Sequence, residues 1–438
     1  MQWGLVQPEK LPSSRRRRTL ELTPVIREFN ELAVPGLGGL WFVKQAALAA
    51  LGVQVARDTM GHHRGNIEVA NAIEALACLL AFEKREWAKD PRLRGNQKLR
   101  SVKDLSFNSM RRANAYVSQP MRMSVTEPLA ALGLVKASGV RFSSFSPAPA
   151  GDDLIAAVFG GARPYKRSVT DHLAKWVRDG SNAEEVRTSP LIDALSPAAP
   201  VGATARATMR ENLERGGRGA DRRRACLDWV ESLARDAYLD WSERPNQISV
   251  EHWDDMEAGA ALLDARNQGV ACLEAVESHL ADLSDNRLDL TKPLPGDVSN
   301  ALQDWRTKGT KFLACKSMAR GGSDAAAFCR DANLDEIGAL TALVLRDDDT
   351  LRRDGSHIVG TAAFRARFGD TAVDRHEVGD DNPDNETEMT EEGAETPPET
   401  GIRWPDAISQ RIGQLWTLSL DLRGELEAHL ANEITDVR

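Results

Sequence analysis

Along residues 253 to 283, Leu263, Val270, Leu273, Val276, Leu280 and Leu283 recur at spacings of three, four and seven. Only an α-helix brings such positions onto one face. The run covers too few heptads to specify a coiled coil, so it predicts a long helix packed within a bundle. Composition points the same way. A chain of 438 residues rich in Ala, Leu, Arg and Glu, with only three Tyr, favours helices over sheets. Its 42% apolar content supports genuine cores in two or three domains. The expected fold class is mainly α.

Residues 1–147 read as an N-terminal helical domain. Its predicted helices are Thr23 to Leu32, Leu40 to Ala56 and Ile67 to Trp87, with the Pro35-Gly36-Leu37-Gly38-Gly39 break after the first. Next, Phe107 to Tyr116 has Ser106 in place as an N-cap. Ser124-Val125-Thr126-Glu127 follows in a capping-box pattern, and Gly133 is a suitable left-handed stop. Two β-prone runs, Leu134 to Ala137 and Val140 to Phe145, flank Ser138-Gly139 and predict a hairpin. Helix, turn, helix and hairpin over residues 107–146 resembles a winged helix-turn-helix. The resemblance rests on the order of elements, with no signature residue.

Residues 148–375 read as a larger helical body with polar, Gly-rich joints. Helices are predicted at Asp152–Phe159, Val169–Arg178, Thr204–Arg215, Arg222–Leu239, Trp253–Leu283, Val298–Met318, Asp324–Ala332 and Glu336–Arg346. From Glu377 to Glu399 the chain then carries ten acids and no Lys or Arg, so of the formal charge of −9 nothing negative is left to the rest of the chain. Residues 376–401 are therefore expected to be a disordered acidic linker. Residues 402–438 close the chain with one predicted amphipathic helix, Trp404 to Ile434. Its stripe comprises Ile408, Ile412, Leu415, Leu418, Leu422 and Leu426. One helix cannot bury that face alone, so it either returns to its own domain or reaches another protein subunit through the linker. Ile408, Ile412, Leu415, Leu422 and Leu426 are the expected partner-binding residues.

Several chemistries lack their residues. There is no Gly-x-Ser-x-Gly elbow and no Walker A loop, and the Gly36–Gly39 run follows a predicted helix rather than a strand. Cys78, Cys226, Cys272, Cys315 and Cys329 form no CxxC pair and read as reduced, mostly buried thiols. The apolar run Leu37 to Ala56 is interrupted by Lys44 and Gln45, and Arg15 to Arg18 is followed by charge rather than an apolar stretch. No membrane contact, no cofactor and no metal are expected, and the location expected is cytoplasmic. A metal-dependent nuclease or phosphohydrolase using His62, His63, Asp347, Asp348 and His357 is the enzymatic alternative. The adjacent histidines point apart on either helix or strand, and the Asp cluster reads as a solvated helix end.

Basic residues gather around the hairpin region. Arg111, Arg112, Arg122, Lys136 and Arg141 are the expected nucleic-acid contacts. Against base readout, the predicted recognition helix Val125 to Leu132 carries Glu127 and no Lys or Arg. The leading expectation is a non-enzymatic accessory or scaffolding subunit of a bacterial assembly acting on nucleic acid, of the kind used in DNA maintenance or phage defence. DNA and other protein subunits are the expected partners, and a purely protein-binding adaptor is the third reading.

Overall fold

The computed structural model describes residues 18–59, 65–112, 114–181, 183, 185–347, 349–368 and 400–436. The acidic segment 376–399, Arg15 to Arg17, His62, His63 and Asp348 lie outside them. In chain order the helices begin with α1 (Thr23–Ala33), α2 (Val43–Asp58), α3 (Asn66–Lys84), α4 (Asn96–Leu99), α5 (Phe107–Met110), α6 (Met121–Ser124) and α7 (Thr126–Ala131). The strands β1 (Val135–Ala137) and β2 (Phe145–Pro147) precede α8 (Pro149–Phe159), α9 (Val169–Asp179), α10 (Ser189–Leu195), α11 (Ala203–Arg215) and α12 (Ala220–Glu231). Then come α13 (Val250–Asp282), β3 (Arg287–Asp289), α14 (Gly296–Ala314), α15 (Gly322–Asp331) and α16 (Glu336–Asp347). β4 (Leu351–Asp354), β5 (His357–Gly360), α17 (Ala362–Phe368), α18 (Gln410–Arg423) and α19 (Leu426–Asp436) complete the set. The protein is mainly α-helical.

Contacts divide the chain into two compact units. The first comprises Met1–Leu32, Val250–Asp380 and Pro405–Ser409; the second comprises Ala33–Ser249, Asp381–Trp404 and Gln410–Arg438. The expected boundary at 147/148 falls between β2 and α8, inside the second unit. No core ends there, because α8 packs on both α2 and β1.

In the first unit the long helix predicted from leucine spacing is α13, about 50 Å in length at 33 residues. Leu262, Leu273, Val276 and Leu280 are buried along it, with Leu302 and Trp305 of α14 and Phe328 of α15 in the same core. Trp305 meets Phe328 at 5.1 Å between ring centroids, and Phe29 of α1 stands edge-on to Phe312 at 6.3 Å. Beside α13 lies a three-stranded antiparallel sheet in the order β3-β5-β4, with Leu288 paired to Ile358 and Arg352 to Val359. Residues 347–357 had read as a helix end and loop. These strands are too short for alternation to show, and they form because Leu351 and Ile358 are fully buried against the helices.

The second unit is built around two helices that are buried on every side. α2 contacts α3, α8, α9 and β2, and Gly52 lets its backbone close on Ala70 of α3, where an added Cβ would sit 2.6 Å from the Ala70 Cβ. α18 packs on α11, α12 and α2. The single C-terminal helix expected from Trp404 to Ile434 is two helices: Gly424, at φ +78°, ends α18, and α19 folds back so that His429 stands edge-on to Trp416. The strand-like segment before them is pinned to the same unit by Leu239 N–H to Arg403 O and Arg403 N–H to Ala237 O, both 2.9 Å.

Between α1 and α2 the 33–39 loop is wholly buried, so its carbonyls need internal donors. Arg411 of α18 donates from Nη1 to Val34 O at 2.9 Å and from Nη2 to both Glu127 carboxylate oxygens at 3.0 Å. Arg223 of α12 donates to Pro35 O and Leu213 O at 2.9 Å and to Arg218 O at 2.7 Å. Gly36 and Gly38 take left-handed φ of +67° and +49° where a Cβ would strike Ala131 and Pro128 of α7.

At the start of α2, Asp421 of α18 accepts the Val43 N–H at 2.7 Å, capping the helix from a distance. Next to it Lys44 is almost completely buried; burial pushes its ammonium down to about 8, against the opposing pull of Asp421. Replacing Arg411 by Ala removes a donor from Val34 O and from the Glu127 carboxylate, and should destabilise the second unit by roughly 2 kcal/mol in denaturant unfolding. Lys44→Met should do the opposite, raising stability at pH 7 by about 2 kcal/mol. A lowered lysine value means the folded state holds fewer protons, so wild-type stability rises with pH between about 8 and 10.5. The advantage of the variant over wild type should shrink across that window, which thermal melts at stepped pH will read.

Candidate nucleic-acid interface

The N-terminal half of α3 organises the basic residues expected around the hairpin. Asn66, at its first turn, donates from Nδ2 to Phe145 O at 2.7 Å and to Phe142 O at 3.2 Å, which holds the second hairpin arm. In the same turn, Glu68 pairs with Arg111 at 3.0 Å. Glu74 is buried and accepts the N–H groups of Met121 and Arg122 at the start of α6, together with the Tyr116 hydroxyl at 2.9 Å. Burial raises the Glu74 pKa against the pull of Arg94 and these donors.

The hairpin itself is antiparallel, with Val135 opposite Pro147, Lys136 opposite Ser146 and Ala137 opposite Phe145. Its loop is longer than the Ser138-Gly139 turn expected, spanning 138–144 with a 3-10 turn at Phe142–Ser144. The cause is Phe142, which is buried beneath the Arg122 guanidinium at 5.3 Å and draws the chain inward before the second strand can start. Val140 is left 91% exposed at the tip, beside exposed Arg141, with exposed Lys136 on the first strand.

The five expected contacts thus separate. Arg112, Lys136 and Arg141 are exposed, and Arg111 is half-buried and paired to Glu68. Arg122 is a correction: it is buried between Asn71 and Phe142 and serves packing. The helix expected from Phe107 to Tyr116 stops at Met110, although Ser106 caps it as predicted by accepting Ser109 N–H at 3.3 Å. Ser124 does not cap α7; it ends α6, and Val125 precedes α7 with no side-chain cap. Glu127 is turned to Arg411 instead. With Pro128 and Leu129 buried, α7 is an internal strut of this unit.

The other expected sites fare differently. Ile412, Leu415, Leu422 and Leu426 are buried within the second unit, so they cannot present a surface to a partner. Their stripe is covered because α11, α12 and α2 of the same chain fill it. Ile408 is half-buried and belongs to the first unit. Asp347 is unavailable to a metal: its Oδ1 meets Arg18 Nε at 3.0 Å, while its Oδ2 accepts the Thr350 hydroxyl at 2.9 Å. His357 lies on β5 with Nδ1 3.2 Å from the Ser356 hydroxyl. Among the described residues no group of three or more His, Cys, Asp or Glu is placed to hold a metal ion. Four of the five cysteines are buried and Cys315 is half-buried, all with free thiols. No described helix is long and apolar enough to cross a membrane.

Charge shows a pattern that only the unit boundaries expose. Outside residues 377–399, the second unit holds 35 Lys and Arg against 28 Asp and Glu, whereas the first holds 21 against 27. The near-neutral charge outside the acidic segment is therefore the sum of a basic unit and an acidic one. The signal was in the sequence, but it needed the fold to say where to divide the count.

Burial sets the expected response to mutation. Arg122→Ala should lower the unfolding midpoint, at a cost of about 2 kcal/mol, by removing the cover of Phe142 and the bond to Asn71. Arg141→Ala should leave stability within about 0.5 kcal/mol of wild type. Thermal melts of the two variants side by side provide the check.

Compared with protein-family models, with curated proteins and with solved structures, the chain matches none.

Proposed function

We propose that the second unit binds nucleic acid through the face carrying the β1–β2 hairpin and the turn after α5, as a non-catalytic accessory subunit of an assembly acting on nucleic acid. The observation that carries this reading is the segregation of charge: outside residues 377–399 the second unit has a net excess of Lys and Arg and the first a net excess of Asp and Glu. Within that unit Arg112, Lys136 and Arg141 are exposed, and Val140 projects from the hairpin tip. The hairpin plays the part of a wing in the winged-helix resemblance. A basic surface of this kind attracts a polyanion and gains from release of its counterions.

The mode of contact follows from α7. A winged helix reads bases with its second helix, but here that helix is committed internally through Glu127, Pro128 and Leu129. Contact is then to phosphate, carried by side chains on the hairpin and turn, and independent of sequence. The C-terminal helices play no part in recruiting a partner in this reading, since their apolar stripe is already used.

Binding of a labelled DNA duplex and a labelled single strand, followed by fluorescence anisotropy across a salt series, tests the proposal. Micromolar binding that weakens at least tenfold between about 50 and 200 mM salt is expected. The triple variant Arg112→Ala, Lys136→Ala, Arg141→Ala should bind more weakly, with a log–log salt slope smaller by roughly two to three. No binding at low salt, or a triple variant indistinguishable from wild type, overturns the assignment.

A further inference from the structure

After α8 the chain turns through Gly160-Gly161-Ala162-Arg163-Pro164-Tyr165-Lys166-Arg167, and this turn is unusual in two ways. Tyr165 and Lys166 both sit in the left-handed region, at φ +49° and +65°, where residues with a Cβ are strained by about 1–3 kcal/mol each. The strain is not offset by burying the Tyr165 ring, which remains 56% exposed. Buried Pro164 fixes the turn from one side. From the other, His172 of α9 lies beneath the phenol with ring planes 6° apart and centroids 6.0 Å apart. His172 is itself almost fully buried, and desolvation holds its pKa below the usual value against Glu185, so the ring below Tyr165 is neutral at pH 7. The backbone is thus bent to hold an aromatic ring flat on a rigid support, with solvent over much of its surface.

Cations flank Tyr165 in sequence. Arg163 and Lys166 are exposed; Arg163 is braced by donating to Ala162 O at 2.9 Å and to Gly160 O. The Lys166 ammonium makes no hydrogen bond or ion pair among the described residues, although its backbone N–H bonds Arg163 O at 3.2 Å. Arg167 and Lys175 are occupied by Glu185 at 3.2 and 2.9 Å. An exposed aromatic face with exposed cations next to it in sequence is the element used to bind single-stranded nucleic acid, where a base stacks and the adjoining phosphates meet the cations. A duplex offers no free base face. The turn is joined to the hairpin by α8, whose 11 residues span on the order of 16 Å. That is about the rise of five stacked nucleotides at ~3.4 Å each.

We infer that the 160–167 turn is a contact for single-stranded nucleic acid, with an unpaired base stacked on Tyr165 and its phosphates on Arg163 and Lys166. This inference rests on the reading of the second unit as a nucleic-acid binder and specifies the form of the ligand.

The test compares labelled oligo-dT with a hairpin-closed duplex of equal length, in anisotropy titrations of the full chain. Wild type should favour oligo-dT. Tyr165→Ala should weaken oligo-dT binding about tenfold while duplex binding changes little, Tyr165→Phe should restore it, and thermal melts should show all three proteins folded. Lys166→Ala should weaken binding and flatten its salt dependence without abolishing the strand preference. Equal oligo-dT affinity of wild type and Tyr165→Ala overturns the inference and makes the turn a protein-contact surface. If the hairpin triple variant still loses affinity in that case, the broader reading of the unit stands. Wild-type protein that binds neither probe at low salt removes both.

Discussion

The second unit depends on two buried guanidinium groups. Its chain enters through a loop, residues 33–39, that lies in the interior with no strand or helix to satisfy its carbonyls. Arg411 and Arg223 supply the missing donors, from α18 and α12 respectively. A lysine has only three donors on one atom, whereas a guanidinium spreads five over a rigid plane, so each arginine can bond several carbonyls that face different ways. Arg411 also ties the loop to Glu127 of α7, and so joins three segments far apart in sequence. The glycines of the loop are then explained by proximity: α7 approaches so closely at Ala131 and Pro128 that no side chain fits.

That arrangement accounts for the unusual character of α2 and α18. Each is surrounded by protein, so neither needs one polar face, and the polar groups they carry are used inside. Asp421 caps α2, Arg411 holds the loop, and Lys44 is tolerated at an energetic disadvantage that its lowered pKa records. The first unit handles its buried polar groups similarly. Arg18 is placed between Glu277 of α13 and Asp347 of α16, and Arg367 closes on Glu277 at 3.1 Å. Several buried charges in both units are thus paired across elements, while exposed cations such as Arg141 and Lys166 sit on outer turns. The hairpin tip and the Tyr165 turn are two such places.

Legibility of the fold followed element length. Helices with several turns, such as α3, α9, α11 and α13, show their apolar faces in sequence spacing, and their observed bounds lie close to those expected. The hairpin strands β1 and β2 were announced by β-prone runs around a turn, but β3, β4 and β5 were not, because alternation needs more positions than their three or four residues give, and α10 and α17 are too short for periodicity. Caps divided in the same manner. Ser106 behaves as its local context requires, while Ser124 and Glu127 fit a capping box only until Arg411, 284 residues away, takes the carboxylate. Arg122 looked like a surface cation for the same reason: nothing nearby in sequence announces Asn71 and Phe142.

Sequence alone determined that this chain is mainly helical, where its long helices run, and that its acidity is concentrated between Glu377 and Glu399. These depend on local periodicity and composition, which each segment carries by itself. Tertiary structure decided which residues belong to one core, that the C-terminal stripe faces inward, and which arginines are structural. It also decided where the charge divides, and that Tyr165 is held open on His172. Each of those is a matter of what lies opposite a side chain once distant segments meet. An amphipathic stripe or a basic cluster specifies only that something complementary must cover it, and the packed fold supplies the partner or leaves the surface free.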